Sequence, residues 1–192
     1  AAIDLANNSL TEWAPAIDNE SYNYISAIQV VGSNVYIGGR FRQIAEEYHS
    51  QLSVVDKETG LPGDWDPDSY GEVWSLWVVG DYMYAAGDFM YIDGKDRNFV
   101  AQFDLTTGRV TDWNPNPDGF IGSLAFTENA TYAAGTLKSI GGEGRKYLAA
   151  LDPVTGAAQD WNPNPEGPAY TLQISGSDII VGGEFTSICG ET

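Results

Sequence analysis

The sequence predicts an all-β protein built from repeated units of four strands. Its 192 residues are 43% hydrophobic, enough for the core of one domain, which we expect to span residues 1–192. Short stretches that alternate apolar and polar residues recur along the chain, and 22 glycines and nine prolines supply turns between them. No stretch shows the 3.6-residue period of an amphipathic helix. These observations favour short strands joined by tight turns.

A repeat of 48 residues runs through the chain. Trp65, Trp113 and Trp161 are spaced at this interval, and each is followed by Asn or Asp and then proline. Asp4 and Trp13 extend the series, because the same nine positions separate Asp152 from Trp161. Further positions keep the interval: Gly39, Gly87, Gly135 and Gly183; Ile44, Ile92, Ile140 and Ile188; Asp56, Asp104 and Asp152. A four-stranded unit repeated at this distance is typical of a β-propeller blade, so we expect a β-propeller.

Each repeat predicts four strands in the same order. The first strand is expected over 25–31, 73–79, 121–127 and 169–175, and the second over 35–39, 83–87, 131–135 and 179–183. The third strand ends at the repeated aspartate, whose Asp-x-x-Thr-Gly sequence is turn chemistry. The fourth strand is expected to be short and to end at the repeated tryptophan, because the following proline stops it.

The repeats do not fill whole blades at the two ends of the sequence. We expect whole blades over about 24–65, 72–113 and 120–161, the outer part of one blade over 1–13, and the inner strands of a further blade over 169–192. If 1–13 and 169–183 shared one blade, a third strand would be missing between them, and unpaired strand edges are avoided in natural sheets. We therefore predict an incomplete arc of a larger ring, or a ring completed by another chain; a closed four-bladed ring is the alternative.

Two segments resemble a known family of repeats. Residues 180–188 read IVGGEFTSI and residues 145–153 read RKYLAALDP, and Trp161 begins WNPNP. These motifs resemble the bacterial delta-60-type propeller repeats, and their layout is similar to that of kelch repeats. The resemblance covers the whole chain and implies a secreted or cell-surface protein without an assigned activity. His49, where the other repeats have arginine, and Cys189, where the preceding repeat has glycine, depart from the pattern.

The charge of the chain argues against several classes of partner. It carries 27 acidic and nine basic residues, for a net charge of -18. A phosphate backbone or an anionic lipid surface requires a basic patch, so we expect no nucleic-acid or lipid-surface binding. No apolar run approaches the ~20 residues of a membrane-spanning helix.

The sequence offers few catalytic or metal-binding residues. One histidine and one cysteine argue against a catalytic triad or a His-rich metal site. The carboxylates before tryptophan (Asp64, Asp112 and Asp160) recur in three repeats, as scaffold residues do. We expect no catalytic residue, no metal site and no cofactor. Calcium at Asp66 and Asp68, or at Asp118, stays open because carboxylates supply oxygen ligands.

The long loops predict where a ligand binds. Strand order places the loops between second and third strands, and those between repeats, on one face. Non-repeated aromatic residues lie in these loops, and five of them are our candidate ligand contacts: Tyr22, Tyr24, Tyr48, Tyr70 and Tyr91. We expect a non-enzymatic, extracellular module for binding, adhesion or scaffolding, with a protein or glycan ligand on this face. A carbohydrate-active enzyme with carboxylates near the central channel is the alternative, and unique carboxylates that converge in one pocket would favour it.

Overall fold

The computed structural model describes residues 1–18 and 22–191. Its regular elements are strands, which confirms the all-β class. Across the described ranges, no helix has the length and apolar character needed to cross a membrane. Residues 19–21 and Thr192 lie outside the described residues.

The principal strands form four antiparallel sheets in chain order. Each sheet begins with a hairpin, and in the first three sheets the third strand pairs with the second. The first sheet contains β1 (Tyr24–Val31), β2 (Asn34–Arg40) and β5 (Leu52–Asp56); the second contains β6 (Val73–Val79), β7 (Tyr82–Gly87), β10 (Val100–Asp104) and β11 (Arg109–Val110). The third contains β12 (Ile121–Phe126), β13 (Thr131–Gly135) and β16 (Leu148–Leu151), and the fourth contains β17 (Ala169–Ser175) and β18 (Asp178–Gly183).

Small hairpins occupy the loops between second and third strands. They are β3 (Gln43–Ile44) with β4 (Glu47–Tyr48), β8 (Tyr91–Ile92) with β9 (Lys95–Asp96), and β14 (Ser139–Ile140) with β15 (Glu143–Gly144). The sequence predicted plain loops here, because a two-residue strand is too short to show an alternating pattern.

The prediction of a fourth strand that reaches each tryptophan is wrong. Among the described residues, only β11 forms a ladder, and it ends at Val110 rather than at Trp113. The other repeats make single bridges, Val55 with Pro62 and Leu151 with Ala158. Pro62 has no N–H, and the Ala158 N–H donates to the Gly141 carbonyl, but the equivalent Val110 N–H of β11 also donates outside the ladder, to the Asp93 carboxylate. The expected first and second strands shift by no more than one residue at either end.

The core lies between successive sheets. Tyr36 and Val54 of the first sheet pack in one cluster with Leu76 and Phe103 of the second. Tyr84 of the second sheet packs with Leu124 of the third. The same arrangement continues into the fourth sheet, where Ala169 and Leu172 contact the third. Each sheet therefore has a leading face, directed at the sheet before it, and a trailing face, directed at the sheet after it.

The repeated tryptophans join neighbouring sheets. Trp113 is 1% exposed, stacks edge-on against Tyr84 of its own sheet, and donates from Nε1 to the Asp152 carbonyl of the next sheet, at 3.2 Å. Trp65 makes the same kind of contact with the Gly108 carbonyl. Trp161 also stacks on a tyrosine, but it remains 36% exposed.

Residues 1–13 form a turn that matches the end of a repeat. The Asp4 N–H donates to the Ser9 carbonyl, as the Asp152 N–H donates to the Ala157 carbonyl. Trp13 extends this segment against the first sheet, where its Nε1 donates to the Asp56 carbonyl at 3.0 Å. Among the described residues, the segment forms no ladder with β17 or β18.

His49 has a structural environment. It is 5% exposed, its Nδ1 lies 3.1 Å from the buried Ser53 hydroxyl, and its Nε2 lies 3.8 Å from a Glu47 carboxylate oxygen. The equivalent Arg97 and Arg145 donate to backbone carbonyls instead. The shorter His49 side chain makes the contact with Ser53 in place of those hydrogen bonds.

Candidate ligand-binding site

A polar cleft opens between the first and second sheets. It has a volume of about 400 Å³ and lies where β1 and β6 begin and where β2 and β7 end. We call it the Glu72 cleft. Its lining is made of charged and amide side chains with one aromatic ring and one glycine: Asn23, Arg40, Phe41, Arg42, Gln51, Gly71, Glu72 and Asp88.

Glu72 is the centre of the hydrogen bonds in this cleft. Its carboxylate accepts hydrogen bonds from the Tyr24 hydroxyl and from Trp74 Nε1, the latter at 3.2 Å. Arg40 Nη1 lies 3.5 Å from the other carboxylate oxygen. The hydrogen bond to Glu72 raises the pKa of the Tyr24 phenol, with smaller contributions from burial and from the negative charge. Tyr24 therefore keeps its proton at neutral pH and holds the carboxylate in place.

Asp88 holds the backbone of Glu72 in place through two hydrogen bonds. Its carboxylate accepts the Glu72 N–H at 2.5 Å, and the Asp88 N–H donates to the Glu72 carbonyl at 3.1 Å. Gly71 leaves room for this arrangement, because a Cβ at that position would lie 2.6 Å from Phe89 Cα and 2.8 Å from the Asp88 carboxylate. The residue also has a φ of +134°, which favours glycine.

Two further side chains leave hydrogen-bonding capacity at the cleft. Gln51 Oε1 is buried and has no hydrogen-bond partner among the described residues. The Arg42 side chain is exposed and lines the same cleft. The backbone N–H of Arg42 donates to the Asp18 carboxylate. The cleft thus contains both donors and acceptors, in a chain with only nine basic residues.

The repeat does not reproduce this polar set. The positions equivalent to Glu72 are Tyr24, Phe120 and Pro168, and those equivalent to Asp88 are Arg40, Thr136 and Glu184. Glu72 has no carboxylate at an equivalent position and Asp88 has one, Glu184, so the pair Glu72 and Asp88 is not repeated as Asp64, Asp112 and Asp160 are. Our sequence reasoning named Tyr24 but missed Arg40, Glu72 and Asp88. A comparison of repeats at the first residue before β6 and the first after β7 would have found them.

The five candidate tyrosines are all exposed, but they do not form one patch. Tyr70 and Tyr91 stack edge-on with ring centres 5.5 Å apart, and Tyr70 directly precedes Gly71 of the cleft. Tyr24 contacts Glu72. Tyr22, 81% exposed, and Tyr48, 61% exposed, have no aromatic partner within the described part of the chain.

The carboxylate oxygens of the acidic turns accept hydrogen bonds from backbone N–H groups. Asp118 accepts the N–H groups of Lys138 and Ser139 at 2.7 and 3.0 Å, and Asp66 accepts the Asp68 N–H. In residues 1–18 and 22–191, no group of three or more His, Cys, Asp or Glu side chains is arranged to hold a metal ion. Cys189 is exposed and unpaired within the same ranges.

Comparison with known proteins gives the fold and nothing further. No protein family and no curated protein matches the sequence. The crystal structure of the computationally designed Ika4 protein is similar at a TM-score of 0.56 and 18% identity, over 86% of this chain and 89% of that one. The crystal structure of the computationally designed Ika8 protein is similar at a TM-score of 0.54 and 16% identity, over 85% of this chain and 44% of that one. The chain is thus similar in its β fold to designed proteins, and it spans less than half the length of the second.

Proposed function

We propose that this chain is part of a β-propeller that binds a glycan in the Glu72 cleft, as a non-enzymatic module of a secreted or cell-surface protein of the delta-60 or kelch-like type. The observation that carries the binding proposal is the convergence of Tyr24, Arg40, Glu72 and Asp88, which the repeat does not reproduce, in one cleft of about 400 Å³. The 48-residue interval and the succession of antiparallel sheets support the propeller.

The chemistry of the cleft suits a ligand with many hydroxyl groups. Each sugar hydroxyl both donates and accepts, so a binding site needs carboxylates beside cationic and amide donors. Glu72 and Asp88 offer acceptors, Arg40 and Arg42 offer donors, and the Gln51 carbonyl oxygen has no partner among the described residues. The contacts that hold Glu72 pre-organise the site, and pre-organisation lowers the entropic cost of binding.

The Tyr70–Tyr91 pair supports the same ligand class. Tyrosine rings offer a large, rigid contact surface with a polar end, at a low entropic cost. Tyr70 directly precedes Gly71 of the cleft lining, and we propose that a chain of sugars seated in the cleft continues toward this pair.

A glycan array screened with the purified chain tests the proposal. We expect binding to a restricted set of glycans, a loss of at least about tenfold in affinity for Glu72→Gln or Arg42→Ala, and a similar loss for Tyr70→Ala. Lys138→Ala and Tyr82→Ala are matched controls, because Lys138 occupies the Arg42 position of the third repeat and exposed Tyr82 lies at the opposite end of β7. Equal binding by Arg42→Ala and Lys138→Ala would overturn the cleft as the site.

The convergence of Glu72 and Asp88 also favours a second candidate, a glycoside-cleaving enzyme. Such enzymes use two carboxyl groups across the scissile bond, one of them able to give up a proton. Here three donors engage Glu72, and a backbone N–H engages Asp88, which suits positioning and binding better than proton transfer. Release of reducing sugar from a bound glycan, abolished in Glu72→Gln, would establish the enzyme instead.

A further inference from the structure

A second cavity lies between the second and third sheets, at the ends of β6 and β7 opposite to the Glu72 cleft. It has a volume of about 390 Å³ and is placed where β6 and β12 end and where β7 and β13 begin. We call it the Gln102 pocket. Most of its walls are apolar or aromatic, and they include Tyr82, Phe126 and Val154.

Buried polar side chains meet in the lining of this pocket. Gln102 is 5% exposed; its Nε2 donates to the Tyr84 hydroxyl at 2.7 Å, and its Oε1 accepts from the Thr111 hydroxyl at 2.7 Å. Burial raises the pKa of the Tyr84 phenol, which therefore keeps its proton at neutral pH. The second hydrogen of Gln102 Nε2 has no acceptor within the described part of the chain. Thr131, which is 1% exposed, completes this polar set.

The polar set is specific to the second and third sheets. The equivalent positions are apolar in the other repeats: Val54 and Ala150 for Gln102, and Val35, Met83 and Ile179 for Thr131. Val54 and Met83 belong to the apolar cluster between the first and second sheets. A similar groove between the third and fourth sheets, of about 690 Å³, is lined by Ile179 and lacks the polar pair. The groove is thus a feature of the repeat, whereas its buried amide is not.

The buried amide of Gln102 has no advantage for packing. A buried polar group costs free energy unless it is fully hydrogen-bonded, and the first two sheets pack in the same way with Val54 and Met83. Mostly apolar walls with a few converging polar groups, around about 300–1,000 Å³, are instead the usual make-up of a small-molecule site. The Gln102 pocket has this make-up and this size.

We propose that the Gln102 pocket binds a small, neutral aromatic compound that carries a carbonyl oxygen. The unpaired N–H of Gln102 needs an acceptor, and a carbonyl oxygen supplies one. Tyr82 and Phe126 supply aromatic contact area for the ring of the ligand. The net charge of -18, with Asp112 in the lining, disfavours an anionic acceptor such as a carboxylate. The site is separate from the Glu72 cleft and does not depend on glycan binding.

An NMR titration of the chain with acetophenone tests the proposal, with ethylbenzene as the analogue that lacks the carbonyl oxygen. Acetophenone should shift the side-chain amide resonances of Gln102 in a saturable manner. Ethylbenzene should bind at least about threefold more weakly, because it leaves the Gln102 N–H unpaired. Equal affinities for the two compounds, or no saturable binding of acetophenone, would overturn the proposal.

A double variant fills the pocket with side chains that the repeat already uses. Gln102→Val combined with Thr131→Met reproduces the apolar pair that packs between the first and second sheets, so we expect it to fold with an unchanged or higher melting temperature. Its affinity for acetophenone should fall at least about tenfold. Gln173→Val, at an exposed glutamine outside the pocket lining, is the matched control and should bind as the wild type does.

A variant in the exposed part of the lining decides the question even if the double variant does not fold. Val154 is 77% exposed and lines the pocket, so Val154→Arg places a bulky charged side chain there without changing the buried polar set. We expect acetophenone to bind at least about fivefold more weakly, at an unchanged melting temperature. Wild-type affinity in Val154→Arg would overturn the pocket as the site. A wild type that binds neither compound, beside a destabilised double variant, would make the role of Gln102 purely structural.

Discussion

At the scale of single residues, the repeated tryptophans have equivalent positions but unequal surroundings. Trp113 is buried between two sheets and Trp161 is 36% exposed, although both stack on a tyrosine of their own sheet. The energetic contribution of a repeated residue therefore depends on whether the next unit covers it.

Trp113→Ala should lower the free energy of unfolding by about 3–5 kcal/mol, because it removes a buried ring and leaves a cavity. Trp161→Ala should cost under about 2 kcal/mol, since less of its surface is removed from water. Chemical denaturation followed by circular dichroism measures both. An unchanged stability in Trp113→Ala, combined with loss of glycan binding, would instead make this tryptophan a ligand contact.

Two of the repeated aspartates, Asp56 and Asp152, make the stability of the fold depend on pH in the acid range. In Asp152, hydrogen bonds from the Thr155 N–H and hydroxyl, and from the Val154 N–H, lower the carboxyl pKa; Asp56 is held in the same way by Thr59 and Glu58. A carboxyl with a lowered folded-state pKa stabilises the fold above its unfolded value, about 3.9, and this contribution disappears as pH falls through the folded value.

The melting temperature should therefore fall as pH is lowered below about 4, and Asp152→Asn should fall less steeply than the wild type. Asp64→Asn is the control, because the exposed Asp64 carboxylate accepts no hydrogen bond within the described ranges. Identical pH profiles for the wild type and Asp152→Asn would contradict the assignment.

At the scale of elements, the close approach between the end of each second strand and the start of its first strand depends on the repeated glycines. A Cβ on Gly87 would lie 1.9 Å from the Glu72 carbonyl oxygen, next to the register shift between Val73 and Ser75. The same close approach occurs at Gly135, against the Phe120 carbonyl. These glycines let the start of one strand pass close to the end of the next, and at Gly87 this contact positions Glu72.

Gly87→Ala should lower the free energy of unfolding by about 1–3 kcal/mol, as overpacking does, and should weaken glycan binding by displacing Glu72. Gly144→Ala, where a Cβ meets nothing within 4 Å, should change stability by no more than about 0.5 kcal/mol. Thermal melts and the glycan assay together check this prediction. If Gly87→Ala were as stable as Gly144→Ala, the close approach would not constrain the fold.

The sequence was most informative where chemistry repeats. The interval of 48 residues located nearly all of the first, second and third strands, and the Asp-x-x-Thr-Gly turns form as expected. It failed at Pro62 and Ala158, where single bridges stand in place of the predicted ladder. It also missed the Glu72 cleft, because Arg40 and Glu72 meet only through the packing of two sheets, which no spacing within one repeat reveals.

At the scale of the whole molecule, the packing follows chain order. Apolar clusters join the first sheet to the second, the second to the third and the third to the fourth. In such linear arrays, stability depends on each unit and its immediate neighbours, and end units are less supported than internal ones. The fourth sheet has neither a third strand nor a covered trailing face among the described residues.

Hydrogen exchange should therefore differ along the chain, even between equivalent strands. The amides of β7 are held between β6 and β10, whereas β18 pairs only with β17, so alternate N–H groups of β18 face its open edge. We expect the amides of β18 to exchange faster than those of β7 by on the order of tenfold or more, in dilute protein at low salt. Equal protection of the two strands in the dilute monomer would show that the fourth sheet is already supported from within the chain.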